Sequence, residues 1–415
     1  MKRTSVLLAG VAVALFLICG AVLAQAQPSK AVGPPDRYIV VLKKGVSDPG
    51  QAARGMARRY GLGVGFVYGH ALKGFSATVP DGRLEKVRTD ERVDYVERDG
   101  TMSAVGQILP WGVNRVDADT SSTRAGNGSG AVSNVHAYVI DTGIDGTHSD
   151  LRVESHVNFT DEANNKDCNG HGTHVAGTLA AKDNASDVVG VAPGAPLVSV
   201  KVLGRANDVA GTSLCGYTGS ISAILAGINW VTANAQKPAV ANLSFTGPSS
   251  PETEPVDEAV RKSAASGILY SVAAGNDGKL ACNYSPADAG RTNSDGAWKK
   301  NNGIVTTAAT IRRKKNDPPT VKNNSEWPES NYGACVDLWA PGASILSTKL
   351  GGGTKTMSGT SMASPHVGGG GALYLRSHTS ASPSSVEAAL KGAAWRPGTK
   401  SKDGRTILLE NVDPF

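Results

Sequence analysis

The regular alternation of two kinds of segment is the feature that most constrains the fold of this 415-residue chain. From residue 104 onward, short apolar runs alternate with longer stretches rich in Ala and Gly. The predicted strands are Val135–Ile140, Leu197–Leu203, Val240–Phe245, Ile268–Ala274, Ile304–Ala309 and Val336–Trp339, and the predicted helices lie near 172–182, 219–236, 254–266 and 363–377. Such alternation is typical of a mostly parallel sheet covered by helices on both faces. We therefore expect a three-layer α/β fold whose chemistry gathers at the carboxyl ends of the strands.

A smaller domain is predicted before this region. Its pattern gives the order β-α-β-β-α-β, the arrangement of ferredoxin-like α+β domains. The predicted strands are 37–42, 65–68, 74–79 and 92–97, and the predicted helices are 49–60 and 84–89. This domain is basic and cysteine-free, and it directly follows residues 1–26, which are predicted below to be a signal peptide. We therefore expect residues 27–103 to be a pro-segment. A small binding domain that stays attached is the alternative.

The N-terminus has the composition of a secretory signal peptide. Two basic residues precede an uncharged run from Val6 to Ala24, and the small-residue pattern Ala24-Gln25-Ala26 follows. We expect residues 1–26 to be removed during export to the extracellular space. A membrane anchor is the alternative, but the strongly apolar run Val6–Cys19 is short for a bilayer span. No later stretch is long and apolar enough to cross a membrane, so we expect no membrane association after signal cleavage.

The charge is placed unevenly along the chain. The formal net charge is +6, and residues 1–103 hold 15 Lys and Arg against 9 Asp and Glu, which already gives +6. Residues 104–415 are therefore neutral overall. Without a basic bias in that part of the chain, phosphate-neutralising nucleic-acid binding loses its main support, and we expect no nucleic-acid partner.

Three motifs carry residues of catalytic type. Asp141 stands at the exit of a predicted strand in VIDTG, His171 opens a predicted helix in NGHGTH, and Ser361 opens another in SGTSMASPH. Each alone has a structural explanation as a turn residue, a structural histidine or a helix N-cap. Together they supply a nucleophile, a base that accepts its proton, and a carboxylate that orients the base. The combination in glycine-rich surroundings therefore predicts nucleophilic catalysis by serine.

A fourth motif is Ala273-Ala274-Gly275-Asn276, which places an asparagine at the exit of a strand. Such a residue can simply close a turn. In a protease, the side-chain amide of Asn276 could donate a hydrogen bond to the oxyanion that forms on the scissile carbonyl.

Four cysteines remain after the predicted signal peptide, namely Cys168, Cys215, Cys282 and Cys335. An even number of cysteines in an exported chain favours disulfides over free thiols. Four cysteines allow three pairings, and spacing alone does not choose between them.

In these motifs and in their order along the chain, the sequence resembles the subtilases, secreted serine endopeptidases, and particularly the proteinase K and aqualysin branch. The resemblance covers essentially the whole chain, with an inhibitor-type propeptide at 27–103 and a subtilisin-like peptidase domain at 104–415. It implies a triad of Asp141, His171 and Ser361, with Asn276 as oxyanion donor. It also implies a self-processing precursor that yields a monomeric enzyme for protein or peptide substrates. The propeptide would act as its inhibitor, and catalysis would need no cofactor.

The resemblance also implies how the substrate and the disulfides are placed. The residues matched to substrate contacts are Tyr217, Thr218, Gly219, Leu243, Ser244, Phe245, Thr246, Ala274 and Gly275. The implied disulfides are Cys168–Cys215 and Cys282–Cys335.

A structural calcium ion is expected on the loop that follows the catalytic-histidine helix, where the chain resembles the subtilisins. Asp150 matches the carboxylate ligand of that site and Asn184 matches its amide ligand. Backbone carbonyls of Lys182, Ser186 and Val188 would complete much of the oxygen shell. An ordinary polar loop, in which Asp150 caps a turn, is the alternative.

A catalytically silent peptide-binding relative is the alternative function. It would require a missing triad or oxyanion residue, and none of the four is missing from the sequence.

Overall fold

The computed structural model describes residues 37–99, 106–204, 215–290, 301–313 and 322–415. The chain divides into two compact units, Met1–Ala104 and Val105–Phe415. The expected signal peptide at 1–26 and the expected start of the peptidase domain at Ala104 lie outside the described residues.

The first unit is an antiparallel sheet with two helices. Its elements are β1 (Arg37–Leu42), α1 (Pro49–Tyr60), β2 (Gly63–Tyr68), β3 (Gly74–Thr78), α2 (Leu84–Arg88) and β4 (Val93–Arg98). The strands lie in the order β2-β3-β1-β4, and each neighbouring pair is antiparallel. The predicted ferredoxin-like α+β domain is confirmed, with element ends that differ from the predicted ends by at most 2 residues.

Local signals in the sequence set the limits of α1. The side chain of Asp48 accepts a hydrogen bond from the backbone N–H of Gln51 at 2.9 Å, and Pro49 occupies the first turn. Gly61 ends the helix in the left-handed conformation, with φ of 71°, which costs glycine little. Met56 on this helix and Phe75 on β3 are fully buried in the core of the unit.

The second unit is built on a parallel sheet of seven strands. Its strands are β5 (His136–Asp141), β6 (Val153–Asn158), β7 (Leu197–Lys201), β8 (Ala239–Leu243), β9 (Gly247–Pro248), β10 (Ile268–Ala273), β11 (Tyr284–Ser285), β12 (Ile304–Thr310), β13 (Leu338–Pro341), β14 (Ile345–Thr348) and β15 (Thr354–Met357). Its α-helices are α3 (Trp111–Arg115), α4 (His171–Ala180), α5 (Ile221–Asn234), α6 (Glu254–Ala265), α7 (Thr360–Ser377) and α8 (Pro383–Ala393). The sheet order is β13-β12-β10-β8-β5-β7-β6, and β9–β11 and β14–β15 form two small antiparallel pairs.

The sheet is covered on both faces, as the α/β prediction requires. Ala137 and Val139 of β5 pack in one apolar core with residues of α4, α7 and α8. The intervening Tyr138 and Ile140 pack in a second core with residues of α5 and α6. Because successive side chains of a strand point to opposite faces, this division gives three layers. All strand pairs of the sheet are parallel, so their carboxyl ends share one edge.

All six predicted strands and all four predicted helices of this unit are present, although β13 begins two residues later than predicted. β6, the hairpin of β14 and β15, α8 and the short elements α3, β9 and β11 were not predicted from the sequence. β6 has only two apolar residues because it lies at the sheet edge, where Glu154 and Ser155 are exposed. Within the described ranges, no helix combines the length and the apolar composition needed to span a bilayer.

Close packing explains the four consecutive glycines of α7, Gly368 to Gly371. A Cβ atom on Gly369 would lie 2.6 Å from Cβ of Val191, which cannot move without its backbone. A Cβ on Gly370 would overlap the carboxyl group of the buried Glu410. The helix therefore lies so close to its neighbours that side chains at these positions are excluded, and packing outweighs the low helix propensity of glycine.

We expect Gly369→Ala to destabilise the protein, measured as the free energy of unfolding in denaturant on an inactive Ser361→Ala chain. Overpacking costs about 1–3 kcal/mol, which exceeds the gain of at most about 1 kcal/mol from helix propensity. Gly392→Ala in α8 is the matched control, because a Cβ there meets no atom within 4 Å. This control should be neutral or stabilising. Equal effects of the two substitutions would contradict the packing explanation.

Candidate active site

Asp141 and His171 form a hydrogen-bonded pair at the carboxyl edge of the sheet. Asp141 is the last residue of β5 and is fully buried, and His171 is the first residue of α4. The imidazole Nδ1–H donates to Oδ1 of Asp141 at 2.7 Å, and the backbone N–H of Thr142 donates to the same oxygen at 2.7 Å. This bond fixes the proton of His171 on Nδ1, so that Nε2 is available as a base.

The surroundings of His171 raise its pKa above the usual value for histidine. Burial opposes the charged imidazolium, but the negative charge of Asp141, its hydrogen bond and the negative charge of Asp167 together outweigh burial. The pair therefore stabilises the cation that forms when His171 accepts a proton.

Ser361 is the second residue of α7 and lines the same cleft as His171. Its hydroxyl donates to the backbone carbonyl of Ser244 at 2.9 Å rather than to the imidazole. The side chain of Ser244 in turn donates to the carbonyl of Ser361 at 2.9 Å. A hydrogen bond to His171 therefore requires the Ser361 hydroxyl to leave the carbonyl of Ser244. Such looser geometry is common in catalytic sites without a bound substrate.

The predicted oxyanion residue Asn276 follows β10 and has a fixed orientation. Its Oδ1 accepts hydrogen bonds from the backbone N–H and the hydroxyl of Thr360, both at 2.8 Å. The hydroxyl of Thr360 also accepts from the N–H of Gly275 at 3.1 Å. With Oδ1 held in this way, the amide Nδ2 remains free to donate into the cleft, which Asn276 lines. The sequence analysis missed Thr360, although its place between Gly359 and Ser361 could have indicated it.

A buried polar network, also missed by the sequence analysis, connects the end of β8 to α7. Oδ1 of the fully buried Asn242 accepts from the hydroxyls of Ser271 at 2.9 Å and Ser364 at 2.8 Å. Its Nδ2 donates to the hydroxyl of Ser244 at 2.8 Å. Because Ser244 bonds Ser361 in both directions, Asn242 is linked through Ser244 to Ser361 at the cleft wall.

The cleft has a volume of about 560 Å³. Most residues expected to contact substrate line it, namely Tyr217, Thr218, Gly219, Ser244, Phe245 and Thr246. Leu243 and Ala274 are instead fully buried in the apolar cores, so their side chains do not face the cleft. Gly275 does not line the cleft. It has a φ of 103°, and a Cβ there would overlap the side chain of Asn331. Glycine is therefore required at that position.

The structure contains the two disulfides that the resemblance implies. Cys168 is bonded to Cys215, and Cys282 is bonded to Cys335. The first disulfide joins the segment before His171 to the segment before Tyr217, and the side chain of Asn169 donates to the carbonyl of Cys215 at 3.3 Å. Two segments that line the cleft are thus joined covalently.

Three backbone carbonyls of the expected calcium loop converge on one side chain, that of Gln107. Its Nε2 lies 2.6 Å from the carbonyl oxygen of Lys182, 3.0 Å from that of Val188 and 3.4 Å from that of Ser186. An NH₂ group has two protons for these three acceptors. Oε1 of Gln107 is buried without a hydrogen-bond partner. The sequence analysis missed Gln107, which lies 75 residues from Lys182 in the chain.

The two side chains expected to bind calcium lie together at the same loop. Oδ1 of the fully buried Asp150 accepts from Nδ2 of Asn184 at 2.7 Å, and Oδ2 accepts from the N–H of Val188 at 3.1 Å. Among the described residues, no three His, Cys, Asp or Glu side chains are grouped to hold a metal. A cation at this loop would therefore rely mainly on carbonyl and amide oxygens, which suit calcium.

Comparisons with known proteins agree with this geometry. Residues 133–410 match the model of the subtilase family, and residues 37–104 match that of the peptidase inhibitor I9 family. The chain is 37% identical over 385 residues to alkaline serine exoprotease A of Vibrio alginolyticus, covering 86% of this chain and 64% of that protein. It is 38% identical over 388 residues to the extracellular serine proteinase of Thermus sp. (strain Rt41A), covering 86% of this chain and 84% of that protein.

A solved structure is also similar. It is the crystal structure of a cold-adapted subtilisin-like serine proteinase, 35% identical, with a TM-score of 0.59 over 74% of this chain and 98% of that chain. The predicted subtilisin-like fold is thereby confirmed. With its family match, its relatives and its parallel sheet in agreement, the chain belongs to the subtilase family of serine proteases and carries an N-terminal domain of the inhibitor I9 family.

Proposed function

We propose that this subtilase is a secreted serine endopeptidase that hydrolyses peptide bonds through an acyl-enzyme on Ser361. The observation that carries the proposal is the 2.7 Å bond between Asp141 and His171 at a cleft that also holds Ser361 and Asn276. Relatives named as an extracellular serine proteinase and an alkaline protease support it.

The mechanism begins when a bound peptide displaces the Ser361 hydroxyl from the carbonyl of Ser244. Nε2 of His171 accepts the hydroxyl proton as Oγ attacks the scissile carbonyl, and Asp141 stabilises the resulting imidazolium. His171 then gives this proton to the leaving amine. Water hydrolyses the acyl-enzyme with His171 again as the base. Each step uses groups of the chain itself, so catalysis needs no cofactor.

The oxyanion is stabilised by the amide of Asn276 and by the backbone N–H of Ser361 at the N-terminus of α7. The two hydrogen bonds from Thr360 hold the Asn276 amide in place before substrate binds. Such preorganised donors stabilise charge that develops only in the transition state, and one of them is worth on the order of 3 kcal/mol.

The chain is proposed to be made as a precursor with three parts. Residues 1–26 direct secretion, residues 27–103 inhibit the protease until they are cleaved, and residues 104–415 form the monomeric extracellular enzyme. The match of residues 37–104 to an inhibitor family supports the role of the second part.

Self-processing gives a direct test of the active site. We expect the full chain to be cut close to the Ser103–Ala104 bond, and the mature product to be labelled on Ser361 by a serine-directed phosphonate or sulfonyl fluoride. Ser361→Ala should remain uncut and unlabelled, because it lacks the nucleophile. Intact mass and N-terminal sequencing measure the cut. Unaided maturation of the Ser361→Ala chain would show that the cut does not depend on this serine.

A structural calcium ion is proposed between Asp150 and the loop 182–188, because the oxygen-bearing groups there fit such an ion. The carbonyls of Lys182, Ser186 and Val188 already converge on one point, where the Gln107 NH₂ now lies. Turning this amide over would present its unpartnered Oε1 to the same point. Asp150 would add a carboxylate, and Asn184 would add its amide oxygen, which now accepts from the N–H of Ser186 at 2.6 Å. The group then offers six oxygen-bearing residues, which meets the calcium preference for 6–8 oxygens. The ion would stabilise the fold and take no part in catalysis.

We expect EGTA to lower the melting temperature of the protein, because an ion that binds only the folded state stabilises it by mass action. Asp150→Ala should abolish this sensitivity to EGTA. Asp183→Ala is the matched control, since Asp183 lies on the same loop but its carboxylate accepts from the N–H groups of Gly128 and Gly130. The control should lose stability and keep its response to EGTA. A wild-type melting temperature that does not change with EGTA would rule the calcium site out.

A further inference from the structure

Asp167, four residues before His171, is a buried carboxylate with five hydrogen bonds. It is 5% exposed. Its Oδ1 accepts from the hydroxyl of Thr142 at 2.9 Å and from the N–H groups of Asn169 at 3.0 Å and Gly170 at 2.9 Å. Its Oδ2 accepts from the N–H of Thr173 at 3.0 Å and from the Thr173 hydroxyl at 2.5 Å. All five donors are neutral, and no Lys or Arg of the described residues pairs with this carboxylate.

These bonds join the two segments that carry the proposed acid–base pair. On one side, the backbone N–H of Thr142 donates to Asp141, and the Thr142 hydroxyl accepts from the N–H of Gly172 at 2.9 Å. On the other side, α4 begins at His171 after Gly170, which has φ of 93° and no side chain to cap the helix. Asp167 supplies a cap from outside the helix, because its Oδ2 accepts from the N–H of Thr173 in the first turn and its Oδ1 accepts from the N–H groups of Asn169 and Gly170 just before it.

A further contact, from Lys201, restrains the turn that follows Asp141. The ammonium group of the fully buried Lys201 donates to the carbonyl of Thr142 at 2.6 Å and pairs with Glu162 at 3.1 Å. Thr142 is therefore held by Lys201 at its carbonyl and by Asp167 at its hydroxyl. The Lys201 bond acts on the turn after Asp141 alone, whereas Asp167 also holds the start of α4.

We propose that Asp167 is a positioning residue of the peptidase, which holds His171 against Asp141 through Thr142 and the first turn of α4. Its negative charge also favours the imidazolium that forms during acyl transfer. The inference rests on the proposed triad. Asp141 from β5 and Asp167 from the preceding loop are the two charged groups that act on His171. His174, one turn further along α4, is neutral near pH 7, because burial lowers its pKa to about 4.

The sign of the expected pH effect follows from the charge. Catalysis needs neutral His171, so kcat/KM falls with acid as the imidazole is protonated. Removing the negative charge of Asp167 makes protonation of His171 harder and lowers its pKa. The acid limb of the pH profile should therefore move to lower pH. A residue that only stabilises the fold would leave this limb in place.

The test compares wild type, Asp167→Asn and Thr142→Val, each expressed as the full chain. The concentration of active sites in each preparation is measured by titration with a serine-directed inhibitor. For Asp167→Asn we expect kcat to fall roughly 10- to 100-fold with little change in KM, because a small misplacement of a catalytic group has effects of this size. The acid limb should move down by roughly half a pH unit. Thr142→Val keeps the charge, so it should lower kcat severalfold without moving the limb.

Glu387→Gln is the matched control. This buried carboxylate of α8 accepts from the backbone N–H groups of Asn302 and Gly303 and, unlike Asp167, pairs with a cation, Lys391, at 3.0 Å. None of these partners lines the cleft. Glu387→Gln should reduce stability and leave kcat and the acid limb unchanged.

Asp167→Asn that lowers only the melting temperature, with wild-type kcat and acid limb, would overturn the proposal. If that variant gives no folded enzyme, Thr142→Val decides. A reduced kcat then supports the proposal and a wild-type kcat overturns it. Activity that persists in Ser361→Ala would refute the triad itself, which separates that failure from a failure of the role of Asp167.

Discussion

The hydrogen bond between Asp141 and His171 is the contact on which the arrangement of the site depends. It forms because β5 ends at Asp141 on the carboxyl edge of the sheet, level with Lys201 at the end of β7. Asp141 is fully buried, and its negative charge and hydrogen bond raise the pKa of the His171 imidazole. A parallel sheet thus supplies both the position and the low-dielectric surroundings that the proposed role of His171 as a base requires.

Ser361, the proposed nucleophile, is placed near the same edge of the sheet by the packing of α7. α7 packs so close to its neighbours that there is no room for side chains at its four glycines. This close packing places the N-terminus of the helix, which carries Ser361, next to the sheet. The bonds of Asn242 to Ser364 and Ser244 then fix Ser361 sideways against the cleft wall. The position of the Ser361 hydroxyl therefore depends on backbone packing and on a buried polar network.

The strands and the proposed catalytic residues could be predicted from sequence because each has a local signal. β5, β8 and β10 are short apolar runs, and Asp141, His171 and Ser361 stand in distinctive glycine-rich motifs. The supporting residues have no such signal: Gln107, Asp167 and Asn242 are ordinary polar residues until the fold brings distant partners to them, which leaves Gln107 half-buried and the other two buried. β6 was missed because an edge strand needs little apolar surface. Leu243, the last residue of β8, and Ala274, the residue after β10, belong to cleft-forming segments, but both side chains are buried in the cores.

Direct titration of His171 by NMR tests the central claim, that the charge of Asp141 prepares this histidine to act as a base. The measurement uses the inactive Ser361→Ala chain and the same chain with Asp141→Asn added. The account predicts a His171 pKa above 6.5 in the first protein and a fall of about one unit or more in the second. The same pKa in both proteins would contradict it.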